Sequence, residues 1–209
     1  LYAQAGEKAN SDVLHLSTPG GVAFGLWGND SQKAPAPILF VLANTIDGTL
    51  GDPYFRQCGN ELAKRYGYLC VSIDLPGHGR FTSDATVPGL EGWAESVLSG
   101  RDFVAENNAR MREVLDFLIL EKYADPEKIF AAGTSRGGYL ALQFAASEER
   151  VKSVISFAPV TKLAALKEFQ DVDPGLLKGT LDLSQKIRTL AKKNIWITIG
   201  DQDDRVGTD

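Results

Sequence analysis

Short apolar segments alternate with helix-type segments along most of the chain, and this alternation limits the folds that it can adopt. The apolar runs that we interpret as buried strands are Ile38–Leu42, Tyr68–Ile73, Lys128–Ala132, Val154–Ala158 and Ile195–Ile199. Two β-type segments precede them, at 13–16 and 21–27. The pattern predicts an α/β fold, a mostly parallel sheet that opens with a hairpin and carries helices on both faces. Loops that leave strand ends are where such sheets bind ligands, here 43–52, 74–82, 133–137 and 200–206.

Local signals predict the helix boundaries. Asp52 and Pro53 supply an N-cap and a first-turn proline for a helix that continues to about Tyr66. Apolar spacing predicts a long helix from about Asp102 to Lys122. Between the strand that ends at Ile73 and this helix, a stretch rich in Gly, Pro, Ser and Thr predicts a long loop. One or two helices are expected within 162–192.

Composition excludes several classes of function. The chain has 209 residues and a formal net charge of −5, and no basic stripe is present, which argues against nucleic acid or an anionic membrane surface as partner. No apolar run approaches the roughly 20 residues of a membrane span. Neither cysteine, Cys58 or Cys70, has a Cys or His neighbour at zinc spacing, so no metal site is expected. We expect two buried thiols, with a disulfide as the alternative, and no cofactor.

The chain is long enough for one sizeable core, and we expect a single domain over 21–209 with an N-terminal extension over 1–20. Ala3-Gln4-Ala5 matches the small-x-small pattern of a signal-peptidase site. The extension is therefore interpreted as the remnant of an export signal, which implies a periplasmic or secreted protein. The alternative is a frayed terminus with chance alanines in a cytoplasmic protein.

The segment Gly133-Thr-Ser-Arg-Gly137 matches G-x-S-x-G between an apolar strand and an apolar helix. A serine at the apex of so sharp a turn needs glycines two positions either side, where side chains would collide. The turn places the Ser135 oxygen at the start of the next helix, where the Arg136 N–H can donate to an oxyanion. No phosphate-loop glycine pattern occurs. Ser135 is thus a candidate nucleophile, and a merely structural tight turn is the alternative.

At this point the chain resembles the α/β-hydrolase fold superfamily, and more narrowly its dienelactone-hydrolase and prolyl-oligopeptidase-like serine esterases. Four segments carry the resemblance: GTSRGG, SIDLPGHGR, FAPVTKL and IGDQDDRVGT. It extends over nearly the whole chain from about Val22. The resemblance implies an α/β-hydrolase fold and a triad in the chain order Ser, acid, His.

The segment after the last strand resembles the one that carries the triad acid in this superfamily. The resemblance implies Asp203 as the acid, with Val206 in the trailing apolar place. Asp201 and Asp204 are the alternative carboxylates, and a solvated acidic turn is the alternative for all three.

The resemblance also implies a second oxyanion donor in the loop after the strand ILFVLA. Many relatives have His-Gly there, whereas this chain has Ala43-Asn44-Thr45. The donor would be the backbone N–H of Thr45 or of Asn44. The Asn44 side chain is expected either to add a donor of its own or to brace the loop.

The chain supplies no histidine after Asp203. His15 lies in the first β-type segment, and His78 lies on a loop whose strand is not adjacent to that of Ser135, so neither is expected to be the base. The expectation is that the sequence is truncated, and that a helix, a final strand and the loop with the catalytic histidine are missing.

These observations predict a carboxylesterase-like serine hydrolase that forms an acyl-enzyme on Ser135 and acts on a small-molecule ester. No propeller and no large lid fit the sequence, which disfavours a peptidase. A non-catalytic binding protein of the same fold is the first alternative, and a small peptidase or thioesterase is the second. For the Arg136 side chain a surface ion pair is expected, with a substrate carboxylate as the alternative.

Overall fold

Seven β-strands in the described part of the chain form one sheet. The computed structural model describes residues 13–28, 35–81 and 87–203. The strands are β1 (Leu14–Ser17), β2 (Ala23–Trp27), β3 (Ala36–Leu42), β4 (Leu69–Ser72), β5 (Ala124–Thr134), β6 (Val151–Phe157) and β7 (Asn194–Thr198). They lie in the order β1-β2-β4-β3-β5-β6-β7. The pairs β1–β2 and β2–β4 are antiparallel, and the other pairs are parallel. The predicted hairpin and mostly parallel sheet are confirmed.

The helices of the described residues lie between these strands. They are α1 (Ile46–Leu50), α2 (Pro53–Arg56), α3 (Gly59–Tyr66), α4 (Gly89–Leu98), α5 (Phe103–Leu120), α6 (Arg136–Ser147) and α7 (Ile187–Leu190). Short 3₁₀ helices occupy Leu163–Ala165, Lys167–Phe169, Pro174–Leu177, Gly179–Leu181 and Leu183–Lys186. The helix predicted from about Asp102 is confirmed as α5, and Asp102 caps it by accepting the N–H of Ala105 at 2.8 Å.

The central strand β3 is buried on both faces of the sheet, and its alternate residues enter two different clusters. Ile38, Phe40 and Leu42 pack into the large cluster that includes α4, α5 and α6. Leu39 and Val41 pack into the smaller cluster that includes α1 and α3. Because side chains alternate across a strand, this division shows helices on both faces, as the sequence predicts.

The single helix predicted from Pro53 to Tyr66 is wrong, because the structure divides it into α2 and α3. Gln57 stands between them with a φ of 47°, in the left-handed region that interrupts a right-handed helix. The predicted start is confirmed, since Asp52 accepts the N–H of Tyr54 at 2.8 Å. Tyr66, at the end of α3, is 66% exposed.

Helix α4 corrects the prediction of one long loop before Asp102. Its buried residues Leu90, Trp93, Ala94 and Val97 follow one face of a helix and pack into the large cluster. Between 162 and 192 the expected one or two helices are replaced by the short 3₁₀ turns and α7. These short elements cover this part of the sheet with buried side chains, namely Leu163, Phe169, Leu177, Leu181, Leu183 and Leu190.

Both cysteines are free thiols, as predicted. Cys70 is fully buried in β4, and burial raises the pKa of its thiol to about 12. Cys58 is half-buried, and burial also raises its pKa. Among the described residues no helix is long and apolar enough to cross a membrane. Ala3-Gln4-Ala5 lies outside the described residues.

Candidate active site

Ser135 lies at the sharp turn between β5 and α6. Its φ of 54° and ψ of −119° are in a region that residues other than glycine rarely adopt. Its N–H donates to the carbonyl of Phe157 at 2.9 Å, and its carbonyl accepts the N–H groups of Tyr139 and Val160, each at 3.2 Å. These hydrogen bonds hold the strained conformation that a nucleophile elbow requires.

The glycines of the turn lie directly against main-chain atoms. A Cβ on Gly133 would overlap the carbonyl oxygen of Gly137, and a Cβ on Gly137 would overlap that of Leu42 at the end of β3. A Cβ on Gly138 would lie 3.0 Å from the Cβ of Pro159. The close contacts agree with the steric reason for which the sequence needs glycine here, and they pack the elbow tightly onto β3.

The loop after β3 faces the elbow but uses its N–H groups internally. The Asn44 N–H donates to Thr49 Oγ1 at 3.2 Å, and the Thr45 N–H donates to the Asn44 side-chain oxygen Oδ1 at 2.7 Å. Thr45 also caps α1 by accepting the N–H of Gly48 at 3.0 Å. The Asn44 side chain therefore braces the loop, which was one of its two expected roles. Arg136, the other expected donor, is the first residue of α6.

Asp74 connects the loop after β3 with the loop after β4. It is 5% exposed, and its Oδ1 accepts the N–H of Ile46 at 2.8 Å. Its Oδ2 accepts the N–H of Arg80 at 2.7 Å, and Gly79 lies against the same carboxylate. Each oxygen thus fixes the main chain of a different loop. Sequence reasoning assigned no role to this residue, although it begins the segment DLPGHG.

His78 contacts the Arg136 side chain. Its Nδ1 lies 3.0 Å from the carbonyl of Pro76, and its Nε2 lies 2.9 Å from Arg136 Nη1. A carbonyl only accepts and a guanidinium only donates, so Nδ1 carries the hydrogen and Nε2 is the acceptor of a neutral imidazole. Burial lowers the pKa of His78, and the charge of Arg136 lowers it further. Neither nitrogen is left to accept a proton from Ser135, which agrees with the expectation that His78 is not the base.

His15 lies far from the elbow. It belongs to β1, and β2, β4 and β3 separate that strand from β5. Its Nε2 pairs with Asp47 Oδ1 at 2.8 Å, with both side chains exposed. This position supports the expectation that His15 is a surface residue.

Asp203 follows β7, at the same edge of the sheet as Ser135. In the sheet order, β6 lies between β5 and β7, and the Ala158 N–H donates to the Thr198 carbonyl at 2.6 Å to join the loops that follow them. The Asp203 N–H donates to the Gly200 carbonyl at 3.2 Å, and its side chain is half-buried, whereas Asp201 is exposed. Asp204 and Val206 lie outside the described residues. The assignment of Asp203 as the acid stays a prediction.

Within residues 13–28, 35–81 and 87–203, no group of three or more His, Cys, Asp or Glu side chains is arranged to hold a metal ion. The residues collected at this edge instead offer a hydroxyl, main-chain N–H groups, a guanidinium and carboxylates. That set suits nucleophilic attack on a carbonyl.

Comparison with protein families agrees with this fold. A family model described as alpha/beta hydrolase fold matches residues 40–193. The chain belongs to the α/β-hydrolase fold family. Comparison of this α/β-hydrolase-fold chain with curated proteins gives no match.

Solved structures similar to this α/β-hydrolase-fold chain are distant in sequence. An acetyl xylan esterase from Paenibacillus sp. R4 is 18% identical with a TM-score of 0.61, and the match covers 90% of this chain and 66% of that one. Dipeptidyl peptidase 4 of Porphyromonas gingivalis is 17% identical with a TM-score of 0.66, over 94% and 28% of the chains. A candidate dienelactone hydrolase from Klebsiella pneumoniae is 15% identical with a TM-score of 0.58, over 92% and 86%.

These likenesses establish the fold and agree with the resemblance seen in the sequence. The chain spans less than two thirds of the length of the esterase, at 66%, and little more than a quarter of the peptidase. At identities of 15–18%, similarity of fold does not transfer the activities of these proteins to this chain.

Proposed function

We propose that this chain carries the nucleophile of a serine hydrolase that cleaves carboxylic esters through an acyl-enzyme on Ser135. The observation that carries the proposal is the backbone of Ser135, held at a φ of 54° at the start of α6. A non-glycine residue in this conformation is costly, and such strain persists where the surrounding structure imposes it, commonly at active sites. The packing of Gly133 and Gly137 supports the same interpretation.

In the proposed reaction, Ser135 Oγ attacks the ester carbonyl carbon while a base takes its proton. The oxyanion accepts the N–H of Arg136 and, as second donor, that of Thr45 or Asn44. The N–H of Thr45 becomes available only when the Asn44 oxygen releases it, and that of Asn44 only when Thr49 does. Collapse of the intermediate expels the alcohol, which takes the proton from the base. The base then takes a proton from a water molecule, which attacks the acyl carbonyl carbon. Collapse of this second intermediate releases the acid, and the base returns the proton to Ser135 Oγ.

The base in this proposal is a histidine outside residues 1–209, held by Asp203. His78 is engaged by Arg136 and Pro76, and His15 is separated from Ser135 by three strands. A histidine roughly 25–40 residues after Asp209 in the coding sequence would complete the chain order Ser, acid, His. Its absence would contradict the triad as stated.

Small acyl esters are the first substrates to test. The fold similarity to an acetyl xylan esterase and to a candidate dienelactone hydrolase supports an ester over a peptide. The similarity to a dipeptidyl peptidase keeps a peptide substrate as the alternative, and a thioester would use the same chemistry.

The test is labelling of the full-length protein by a fluorophosphonate, together with hydrolysis of para-nitrophenyl acetate. Ser135→Ala is expected to lose the label, and its kcat/KM is expected to fall by about 10⁴-fold or more. Ser147→Ala is the matched control, because its exposed hydroxyl only bonds the Phe144 carbonyl at the end of α6.

Equal labelling of wild type and Ser135→Ala would remove Ser135 as the nucleophile. A folded wild type that neither labels nor hydrolyses esters, thioesters or peptides would instead favour the alternative, a non-catalytic binding protein of this fold. The specific observation behind that alternative is that both histidines of the sequence are engaged elsewhere.

A further inference from the structure

The two cysteines of the sequence lie where α3 packs against β4. The Cys70 thiol donates from β4 to the carbonyl oxygen of Gly59, the first residue of α3, at 3.8 Å. A Cβ on Gly59 would lie only 2.8 Å from the Cys70 sulfur Sγ. Cys58 directly precedes Gly59 and packs against the same small cluster that contains Cys70. The two thiols are therefore neighbours, although they stand 12 positions apart in the sequence.

The main chain around Cys58 lets its side chain turn toward β4. Because residue 59 is glycine, the Cys70 sulfur reaches the main chain of α3. Cys58 stands at the N-cap of α3 but makes no side-chain hydrogen bond to cap the helix. It follows Gln57, whose positive φ already interrupts the helical segment. Movement of the Cys58 side chain toward Cys70 therefore breaks no capping bond and unwinds no helix.

A buried cation lies beside this pair. Arg56 is 7% exposed, and its guanidinium carbon lies 3.9 Å from the centre of the Trp27 ring. Trp27 is the residue of β2 that pairs with Cys70 of β4. Burial and the neighbouring Cys58 raise the pKa of Cys70, whereas the charge of Arg56 lowers it. Arg56 therefore favours the thiolate, which is the form that attacks a disulfide.

We infer that Cys58 and Cys70 together form an oxidation site, at which a small-molecule disulfide such as oxidised glutathione converts the two thiols to an intramolecular disulfide between α3 and β4. The inference does not depend on the proposed function of Ser135. It assigns a chemistry to two residues that take no part in the proposed hydrolysis.

The two sulfurs react in a fixed order because they differ in exposure. Cys70 is fully buried and closed to reagents in solvent, whereas Cys58 is half-buried, so the Cys58 thiolate attacks the small disulfide first. This step forms a mixed disulfide and releases one small thiol. The Cys70 thiol then loses its proton to water, and its thiolate attacks the Cys58 sulfur and expels the second small thiol. Two protein thiols are oxidised, and one small disulfide is reduced to two thiols.

Peptide mapping of the native full-length protein tests the inference. Trypsin cuts between the two cysteines, which leave in the separate peptides 57–64 and 66–80. The protein is incubated with oxidised glutathione, and the remaining thiols are then blocked with N-ethylmaleimide in urea. We expect the two peptides to be joined by a disulfide that dithiothreitol separates.

Three results of this mapping would overturn the inference. One is a stable glutathione adduct on Cys58 beside a maleimide adduct on Cys70. Another is a wild type in which both cysteines carry only maleimide. The third is a link between the peptides that forms only when urea unfolds the protein before oxidation.

Single-cysteine variants test the order of the steps. Cys70→Ala is expected to keep the glutathione adduct on Cys58, because no second thiol displaces it. Cys58→Ser is expected to stay unmodified in the native state, because Cys70 is buried. Rapid formation of an adduct on Cys70 in native Cys58→Ser overturns the inference as stated.

The melting temperature tests whether the native fold places the pair for this bond. The linked wild type is expected to melt about 5 °C above the reduced protein, because the disulfide restricts the unfolded chain. Cys58→Ser, treated in the same way, is the control and is expected to show no shift. A linked wild type that melts below the reduced protein would show that the bond distorts α3 and β4, and it would overturn the inference.

Discussion

Gly137 lies so close to the carbonyl oxygen of Leu42 that no side chain fits between α6 and the end of β3. We expect Gly137→Ala to force the elbow away from β3 and to destabilise the fold by about 2–3 kcal/mol. This corresponds to a melting temperature lower by roughly 5–10 °C for a chain of this size. Gly200→Ala is the stability control, since a Cβ there meets no atom within 4 Å. Equal melting temperatures for the two variants would contradict the steric account.

Replacement of the Asp74 carboxylate by an amide is expected to destabilise the fold. Both of its oxygens accept a main-chain N–H, from Ile46 and Arg80, whereas asparagine has a single acceptor oxygen. Asp74→Asn should therefore lower the free energy of unfolding by about 1.5–3 kcal/mol, measured by urea denaturation. Asp52→Asn is the matched control at an exposed N-cap, where asparagine serves equally well. A cost for Asp74→Asn no larger than that of the control would show that the two loops do not depend on this carboxylate.

Protonation of Glu148 should lower the stability of the fold at acid pH. The hydrogen bonds from Arg150, at 2.7 and 2.8 Å, and the bond from Arg112 lower the pKa of this carboxyl from its usual 4.5 to about 2. Since the folded pKa lies below the unfolded one, the stabilisation is present above pH 4.5 and is lost as the pH falls toward 2.

In the wild type this loss amounts to up to about 2–3 kcal/mol of the free energy of unfolding between pH 4.5 and pH 2. In Glu148→Gln, which has no carboxyl group to protonate, we expect this contribution to the pH dependence to be absent. Urea unfolding at a series of pH values measures it. Glu149→Gln, an exposed neighbour, is the control and should keep the wild-type profile. A wild-type profile for Glu148→Gln would contradict the prediction.

The thiol of Cys70 should be unreactive in the folded protein. It is fully buried in β4, and a pKa of about 12 leaves almost no thiolate at neutral pH. In Cys58→Ser, which leaves Cys70 as the single thiol of the sequence, iodoacetamide should label the protein only when urea unfolds it. Labelling of the native variant at the rate of the unfolded chain would show that this strand opens to solvent.

The sheet and the elbow could be predicted because both depend on local pattern. The alternation of apolar segments specifies a parallel sheet, and the G-x-S-x-G spacing at a strand end specifies the turn at Ser135. Helix α4 was missed because the residues before it are rich in Gly, Pro, Ser and Thr. Its own spacing of Leu90, Trp93, Ala94 and Val97 was a signal that could have found it.

Other features follow from three-dimensional contact and had no local signal. The break at Gln57 depends on a single positive φ inside a segment of helical pattern. The contact between His78 and Arg136 joins residues 58 positions apart. The strand order predicts that His78 does not reach Ser135, but it says nothing about how far the long side chain of Arg136 extends across the end of β3.

The carbonyl oxygen of Pro76 accepts hydrogen bonds from Trp93 in the hydrophobic core and from His78 in the loop after β4. One main-chain atom therefore links the packing of the core to the placement of the His78 ring, and His78 in turn contacts the Arg136 side chain. A substitution at His78 therefore also changes the surroundings of a core tryptophan, and repacking of the core around Trp93 shifts the loop that holds His78. At this position, the packing of the core and the arrangement of the loop after β4 are a single evolutionary constraint.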